Sequence, residues 1–352
     1  MLTFAPLKAR YDELRSSEPR IRIRDAAKKL HVSELELVEL NLGGDVVRLS
    51  GDWKELIKRL HQLDRVMALT RNEFVVHERK GVYSNISFFK DGEMGVAVNE
   101  DIDLRFFMKQ WKYAYAVRMV KPKSVLHSFQ FFNAYGEAVH KVYLTPKSNP
   151  IAFHQLLESH RAANQKRLVK PKQEKTLKKA SSKLSNPRSR QFQLDWLQLK
   201  DTHDFYPLLK QYKLGRLQAL QLAPNGYAWR IQNSAIPEMF KTVSAADIPI
   251  MVFVGNAGCL QIHTGTIQKI VELEHWFNVM DPLFNLHLNM HGVSEAWIVK
   301  KPTADGVVTS LEVFGIEGSI IMQCFGKRKP GLPELKEWRN VVEKLSPLAE
   351  ES

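Results

Sequence analysis

Residues 195–212 read DWLQLKDTHDFYPLLKQY. Phe205, Leu208, Leu209 and Tyr212 fall at i, i+3, i+4 and i+7, which places them on one face of a helix. Pro207 fits only a first turn, so this helix must begin close to His203. The stretch follows a long basic tract and opens a pattern that has already occurred once in the chain. A shift of 182 brings Leu30–Leu35 onto Tyr212–Leu217, and the register holds through Leu40/Leu222, Gly44/Gly226 and Arg48/Arg230. The same shift pairs Ser128–Phe132 with Ser310–Phe314 and Gly136 with Gly318. Between these blocks a shift nearer 177 (Val75 to Val252, Gly81 to Gly258) suggests small loop insertions. The chain therefore reads as a tandem duplication. At position 203 the first copy carries Ile21 where the second carries an imidazole.

Each half begins with helices. Asp25–Leu30 precedes a Ser33-x-x-Glu36 capping box in the first half, and third helices are expected at Trp53–Leu63 and about Ser234–Val243. Short β-type runs follow at 73–76, 82–85 and 94–98, and at 250–254, 259–264 and 266–271. A helix or turn is expected at Leu104–Trp111, matched loosely by His275–Met280. Strands resume at 113–120, 128–132 and 139–144, with counterparts at 283–289, 295–300, 309–314 and 320–325. Runs of strands flanked by helices, without βαβ alternation, indicate an α+β fold in which each half is a large antiparallel sheet.

The 352 residues suit two domains of ordinary size. Eleven of the Lys and Arg residues fall in 161–190 against one acid, Glu174, so this tract holds +10 of the net +13 and the rest is near neutral. The expected division is 1–160, a basic flexible linker at 161–191, and 192–352. With no aromatic residue between His154 and Gln191, the tract lacks a stacking platform, which argues against nucleic-acid binding. No apolar run approaches the roughly 18 residues of a membrane span, and the N-terminus reads as no secretory signal, which points to the cytoplasm. Cys259 and Cys324 align with Val82 and Val142, and buried structural thiols are expected. Nucleophile elbows, phosphate loops and HExxH are absent.

Four positions invite weighing. His203 is either an exposed capping-region histidine or a metal ligand. His77, aligned with Val254, is either a strand-end surface residue or a ligand of a second site. Arg105 either pairs with Asp103 or donates to a ligand. Lys301 is either a solvated strand end or a carboxylate-binding cation.

Several segments resemble the HemS/ChuS/HmuS family of bacterial haem-utilisation proteins: RNEFVVHE (71–78), DLRFFMKQW (103–111), SFQFFNAYGEAVHKVY (128–143), DTHDFYPLLKQYKLGRLQAL (201–220), IMVFVGNAGCLQIHTG (250–265), EAWIVKKPTADGVVTSLEVF (295–314) and QCFGKR (323–328). The family has tandem halves, and the resemblance implies one haem between them. His203 would be the iron ligand. Arg105 would act on the opposite face, with Phe107 against the macrocycle. Arg216, Lys301 and Arg328 would serve the propionates, and Phe253 and Gln323 would line the pocket. Phe325 stands where many members have tyrosine. The implied activity is ring opening with release of iron, driven by an external donor such as ascorbate or NAD(P)H, or else carriage of haem to another enzyme. A haem-uptake transporter or a reductase is the implied partner, and either a monomer or a homodimer fits.

Overall fold

The computed structural model describes residues 4–166, 168–173, 185–329, 331–345 and 347–348. In the first repeat the order is α1 (Phe4–Ser17), α2 (Ile23–Leu30), α3 (Glu34–Glu39), β1 (Val46–Leu49), α4 (Trp53–Lys58), β2 (Asp64–Arg71), β3 (Val75–Gly81), β4 (Ile86–Phe89), β5 (Met94–Val98), β6 (Asp103–Phe107), β7 (Tyr113–Lys121), β8 (Ser124–Phe132), β9 (Ala138–Ser148) and α5 (Pro150–Ser159). The second repeat runs α6 (Asn186–Leu197), α7 (Phe205–Tyr212), α8 (Arg216–Gln221), β10 (Ala228–Ile231), α9 (Ala235–Ala245), β11 (Ile250–Gly255), β12 (Cys259–Gly265), β13 (Ile270–Leu273), β14 (Trp276–Met280), β15 (Phe284–Asn289), β16 (Val293–Thr303), β17 (Gly306–Gly315), β18 (Ile320–Gly326) and α10 (Lys336–Glu343). The strands form two antiparallel sheets of nine strands each, flanked by helices, as the α+β reading requires.

The duplication is visible in local geometry. α2 and α7 both end on a left-handed residue, His31 (φ 56°) and Lys213 (φ 55°), which stand 182 apart. Gly136 and Gly318 both take positive φ, 80° and 68°, and a Cβ on Gly136 would sit 2.5 Å from Ser33 Oγ. Ser33 caps α3 through the anticipated reciprocal box: its Oγ accepts from Glu36 N, and its own backbone N–H donates to the Glu36 carboxylate. Cross-strand pairs repeat as well. Tyr115, Gln130 and Lys141 form one row of the first repeat, and Trp297, Glu312 and Gln323 form the same row of the second.

In the middle of each repeat the true shift is 184, not 177. Asn72 and Asn256 start the same turn, each accepting two backbone N–H bonds through its side-chain oxygen. Strand by strand, β3 therefore corresponds to β12, so Cys259 matches Val75 and His77 matches Gln261. The two glycines that suggested 177 lie at non-equivalent places. The segment 104–111 is not a helix: Leu104 and Phe106 are buried while Asp103, Arg105 and Phe107 are half-buried, a period of two that makes it strand β6 followed by a 3-10 turn at 108–110. Residues 275–280 are mostly strand β14, and the counterpart of β6 is β15. Residues 82–85 connect β3 to β4 and form no strand.

Two compact units are present. One comprises 1–70, 79–176 and 256–260, and the other 71–78, 177–255 and 261–352, so each takes a short segment from the opposite half of the sequence. In the first unit the run β1-β7-β8-β9-β2 is packed on one face by α4 and α5, through Leu56, Ile57, Phe153 and Leu156 against Ala114, Phe129 and Val142. Leu35 and Val38 of α3 cover the other face at Tyr115 and Phe132. In the second unit the run β10-β16-β17-β18-β11 buries Ile298, Leu311, Val313 and Cys324 under α9 and α10. Its opposite face, at Trp297, Val299 and Phe314, carries α6, α7 and α8. The expected flexible linker is in part ordered. Ala162 N donates to Arg48 O, Val169 N to Glu39 Oε2 and Lys172 N to Ala134 O, and α6 already starts at Asn186. Residues 174–184 of that expected linker lie outside the described residues.

Candidate functional site

α7 presents Phe205, Leu208, Leu209 and Tyr212 to the core as its spacing demands. The chain enters it through a 3-10 turn, Thr202–Asp204, closed by a capping box of Asp201 and Asp204. The turn leaves the His203 side chain 93% exposed. Its Nδ1 lies 2.6 Å from Asp201 Oδ1, and the same oxygen accepts the His203 backbone N–H at 2.8 Å. A carboxylate can only accept from a neutral imidazole, so Nδ1 holds the proton and Nε2 keeps its lone pair facing outward. The bonds from His203 lower the Asp201 pKa, and Arg328 acts in the same direction. An exposed, oriented imidazole suits an iron ligand.

The sheet face under α7 carries the other second-unit candidates. Glu312 is fully buried in β17 and accepts Arg216 Nε and Nη2 at 2.6 and 2.7 Å, Lys301 Nζ at 2.7 Å, Ser310 Oγ at 3.1 Å and Gln323 Nε2 at 3.2 Å. Burial alone would raise its pKa, but Arg216 and Lys301 more than cancel this and hold it ionised. The same burial pushes Lys301 down to about 8, against the pull of Glu312. Both cations lie over the Phe205 ring, 5.2 Å for Arg216 and 4.8 Å for Lys301. Lys301 is therefore not a solvated strand end: it is buried and paired with Glu312. Arg216 keeps a quarter of its side chain exposed.

Phe253 and Phe325 meet edge to face at 5.1 Å on the neighbouring strands β11 and β18, with Gln323 paired to Phe253. Arg328 Nη2 is 3.9 Å from Asp305. In the first unit, Arg105 Nη1 bonds Asp103 and the Leu104 carbonyl, so its pairing with Asp103 is real. Burial raises the Asp103 pKa, opposed by Arg105. Phe107 is half-buried where β6 passes into the 3-10 turn, its N–H on Gly258 O. His77 is not a surface residue. It has no exposed area, and its ring lies 4.9 Å from that of Phe284.

Sequence reading missed Glu312 and Asp201. It also missed a buried set in the first unit. Tyr83 Oη is 2.6 Å from His140 Nε2, Thr70 Oγ1 is 2.9 Å from His140 Nδ1, and Thr70 donates to Cys259 Sγ at 3.5 Å. Burial drives His140 down to about 3 and Cys259 up to about 12, so this thiol is inert as expected. Burial likewise pushes the Cys324 thiol up. No group of three or more His, Cys, Asp or Glu placed to hold a metal ion occurs among the described residues. Among the same residues no helix is long and apolar enough to cross a membrane.

Comparison with known proteins finds the same duplication. The family model of the haemin-degrading HemS.ChuX domain matches twice, at 31–160 and 213–345. The hemin transport protein HemS of Yersinia enterocolitica is 35% identical over 340 residues, covering 96% of each chain. The structure of holo-PhuS, a heme-binding protein from Pseudomonas aeruginosa, superposes with a TM-score of 0.93 at 42% identity, covering 98% of this chain and 100% of that one. ChuS, an E. coli heme oxygenase, gives a TM-score of 0.85 at 32% identity over 96% and 99% of the two chains. Two matched repeats, full-length relatives and close superposition over the whole chain lead to one conclusion: the chain belongs to the HemS family of haem-utilisation proteins.

Proposed function

We propose that the second unit binds haem through His203 Nε2 and that the protein degrades it, releasing iron at the expense of an external electron donor such as ascorbate or NAD(P)H. The observation that carries the reading is the exposed imidazole whose Nδ1 is tied to Asp201. The surroundings fit the group. Haem is an apolar plate with two carboxylates, and such a plate needs aromatic walls and a few cations. Phe253 and Phe325 offer the first. Arg216 and Arg328 offer the second, with the cluster of Arg216, Lys301 and Glu312 retaining one positive charge. Bound haem would supply the redox-active iron and the ring that is opened. The protein's residues orient it, and a permanently charged guanidinium at Arg105 would stabilise developing negative charge. Arg105 and Phe107 enter this proposal on the family resemblance alone.

A second reading is supported by the 93% exposure of His203. A ligand so open to solvent suits handover, and a relative bears the name hemin transport protein. One experiment separates the two. Haemin is added to the purified protein, ascorbate or NAD(P)H is supplied in air, and the Soret band and free iron are followed. Loss of the band with iron release supports degradation. A stable band that moves to an added haem acceptor leaves the carrier, and the absence of any Soret shift on mixing overturns both. A cytoplasmic site of action, with a haem-uptake transporter or a reductase as partner, completes the proposal.

A further inference from the structure

Glu312 stands where the first repeat has Gln130, and the residues around it have changed with it. Arg216, Lys301 and Gln323 correspond, at the shift of 182, to Glu34, Met119 and Lys141. In the first unit Glu34 and Lys141 form a closed, buried ion pair of zero net charge, with Gln130 bonded to Ser128. In the second unit, helix α8 supplies the cation and the strand supplies the acid, and an extra lysine leaves the set at +1. A fully buried carboxylate is costly unless it is richly bonded, and one with five donors at this position is not needed for the fold, because the sister repeat makes the same row with an amide. Its two oxygens also occupy the Nε and Nη2 fork of Arg216, the geometry in which guanidinium takes an external carboxylate.

We propose that Glu312 is an internal competitor: in the ligand-free protein it holds Arg216 and Lys301, and it contends with a carboxylate of the bound ligand for them, so that it sets how fast a carboxylate-bearing ligand is released. The identity of that ligand as haem rests on the reading above. The competitor itself rests on the geometry of the cluster. Glu312 acts through Arg216 and Lys301, so it is a positioning residue. Arg216, a quarter exposed, is the cation that a ligand reaches first. Lys301, at 3% side-chain exposure, becomes available only as Glu312 lets it go.

The test compares haem with haem dimethyl ester, whose propionates can no longer bind a cation, and follows transfer from each loaded protein to an excess of a high-affinity haem scavenger. Glu312→Gln keeps the side-chain shape and removes the competing charge. It is expected to slow haem release about tenfold, the factor that roughly one charge-assisted bond represents, while leaving release of the diester within about twofold. The double variant Lys301→Met/Glu312→Gln installs the uncharged residues of the first repeat, so no buried lysine is left without its acid, and it should show the same discrimination. Equal changes for haem and diester, or faster haem release, would reduce Glu312 to a structural brace and overturn the proposal. If the wild-type protein binds no haem, the functional reading falls separately. The competitor is then judged on ligand-free protein by phenylglyoxal modification of Arg216, which should quicken about tenfold in Glu312→Gln and refutes the idea if unchanged.

Discussion

Acid should loosen the first unit through a single buried histidine. His140 has 1% exposure and sits between Tyr83 and Thr70, with burial holding its pKa at about 3. In the unfolded chain the same imidazole titrates near 6.5, so between these values the unfolded state binds one proton more than the folded state. The stabilisation is complete above about pH 6.5 and is lost as pH falls toward 3, at up to about 1.4 kcal/mol per pH unit. From pH 7 to 4.5 this amounts to about 2.5 kcal/mol from His140 alone. The variant His140→Met carries the residue of the sister repeat, Met322, and cannot titrate. At pH 7 it should be the less stable protein by about 1–3 kcal/mol, because Tyr83 Oη and Thr70 Oγ1 lose their partner. At pH 4.5 that gap should shrink by about 2.5 kcal/mol or reverse. The assay is urea unfolding at both pH values, read by hydrogen exchange in peptides covering β8 and β9, which reports on the first unit by itself. Carboxylates common to both proteins cancel in the difference. Parallel pH dependence in wild type and variant would refute the reasoning, since it would mean that His140 is as easily protonated in the folded protein as in the unfolded one.

Four further outcomes follow from named contacts. His203→Ala should abolish the haem spectrum while moving the melting temperature little, because the ring is 93% exposed and its bond to Asp201 is made at the surface; an unchanged Soret band would remove it as the ligand. Asp201→Asn should keep the turn but weaken haem binding about 10–100-fold in a spectral titration, the usual loss when the outer partner of a ligating histidine is disturbed; equal affinity would show that the orientation of His203 is set elsewhere. Arg105→Ala should leave haem bound and slow its turnover with ascorbate, and full turnover would end its proposed role. Ser33→Ala removes the Oγ that caps α3 and should cost about 1 kcal/mol in urea unfolding of the first unit, with no loss if the cap is replaced by water.

Local chemistry determined much of this protein before any tertiary contact was known. The tandem repeat, the cap at Ser33, the helix start near His203 and the antiparallel α+β class all follow from spacing, turn residues and propensities that act within a few positions of one another. The same logic placed His203 on a turn where its sister has Ile21. It failed where a signal had no fixed period. The short β4 and β13 strands offer only four residues each, and Gly81 at the end of β3 and Gly258 in the bend before β12 produced a false register across the middle of each repeat. What only the tertiary structure decided are the partners. Glu312 lies 96 positions from Arg216 and meets Lys301 from the adjacent strand. His140 and Cys259 are 119 apart, and His77, polar in sequence, is wholly buried. Strand pairing sets these encounters, and a side chain's charge says nothing about which strand will lie beside its own. The sequence could therefore name a histidine and a set of cations, whereas the packed sheet decided that two of those cations are already held by a carboxylate.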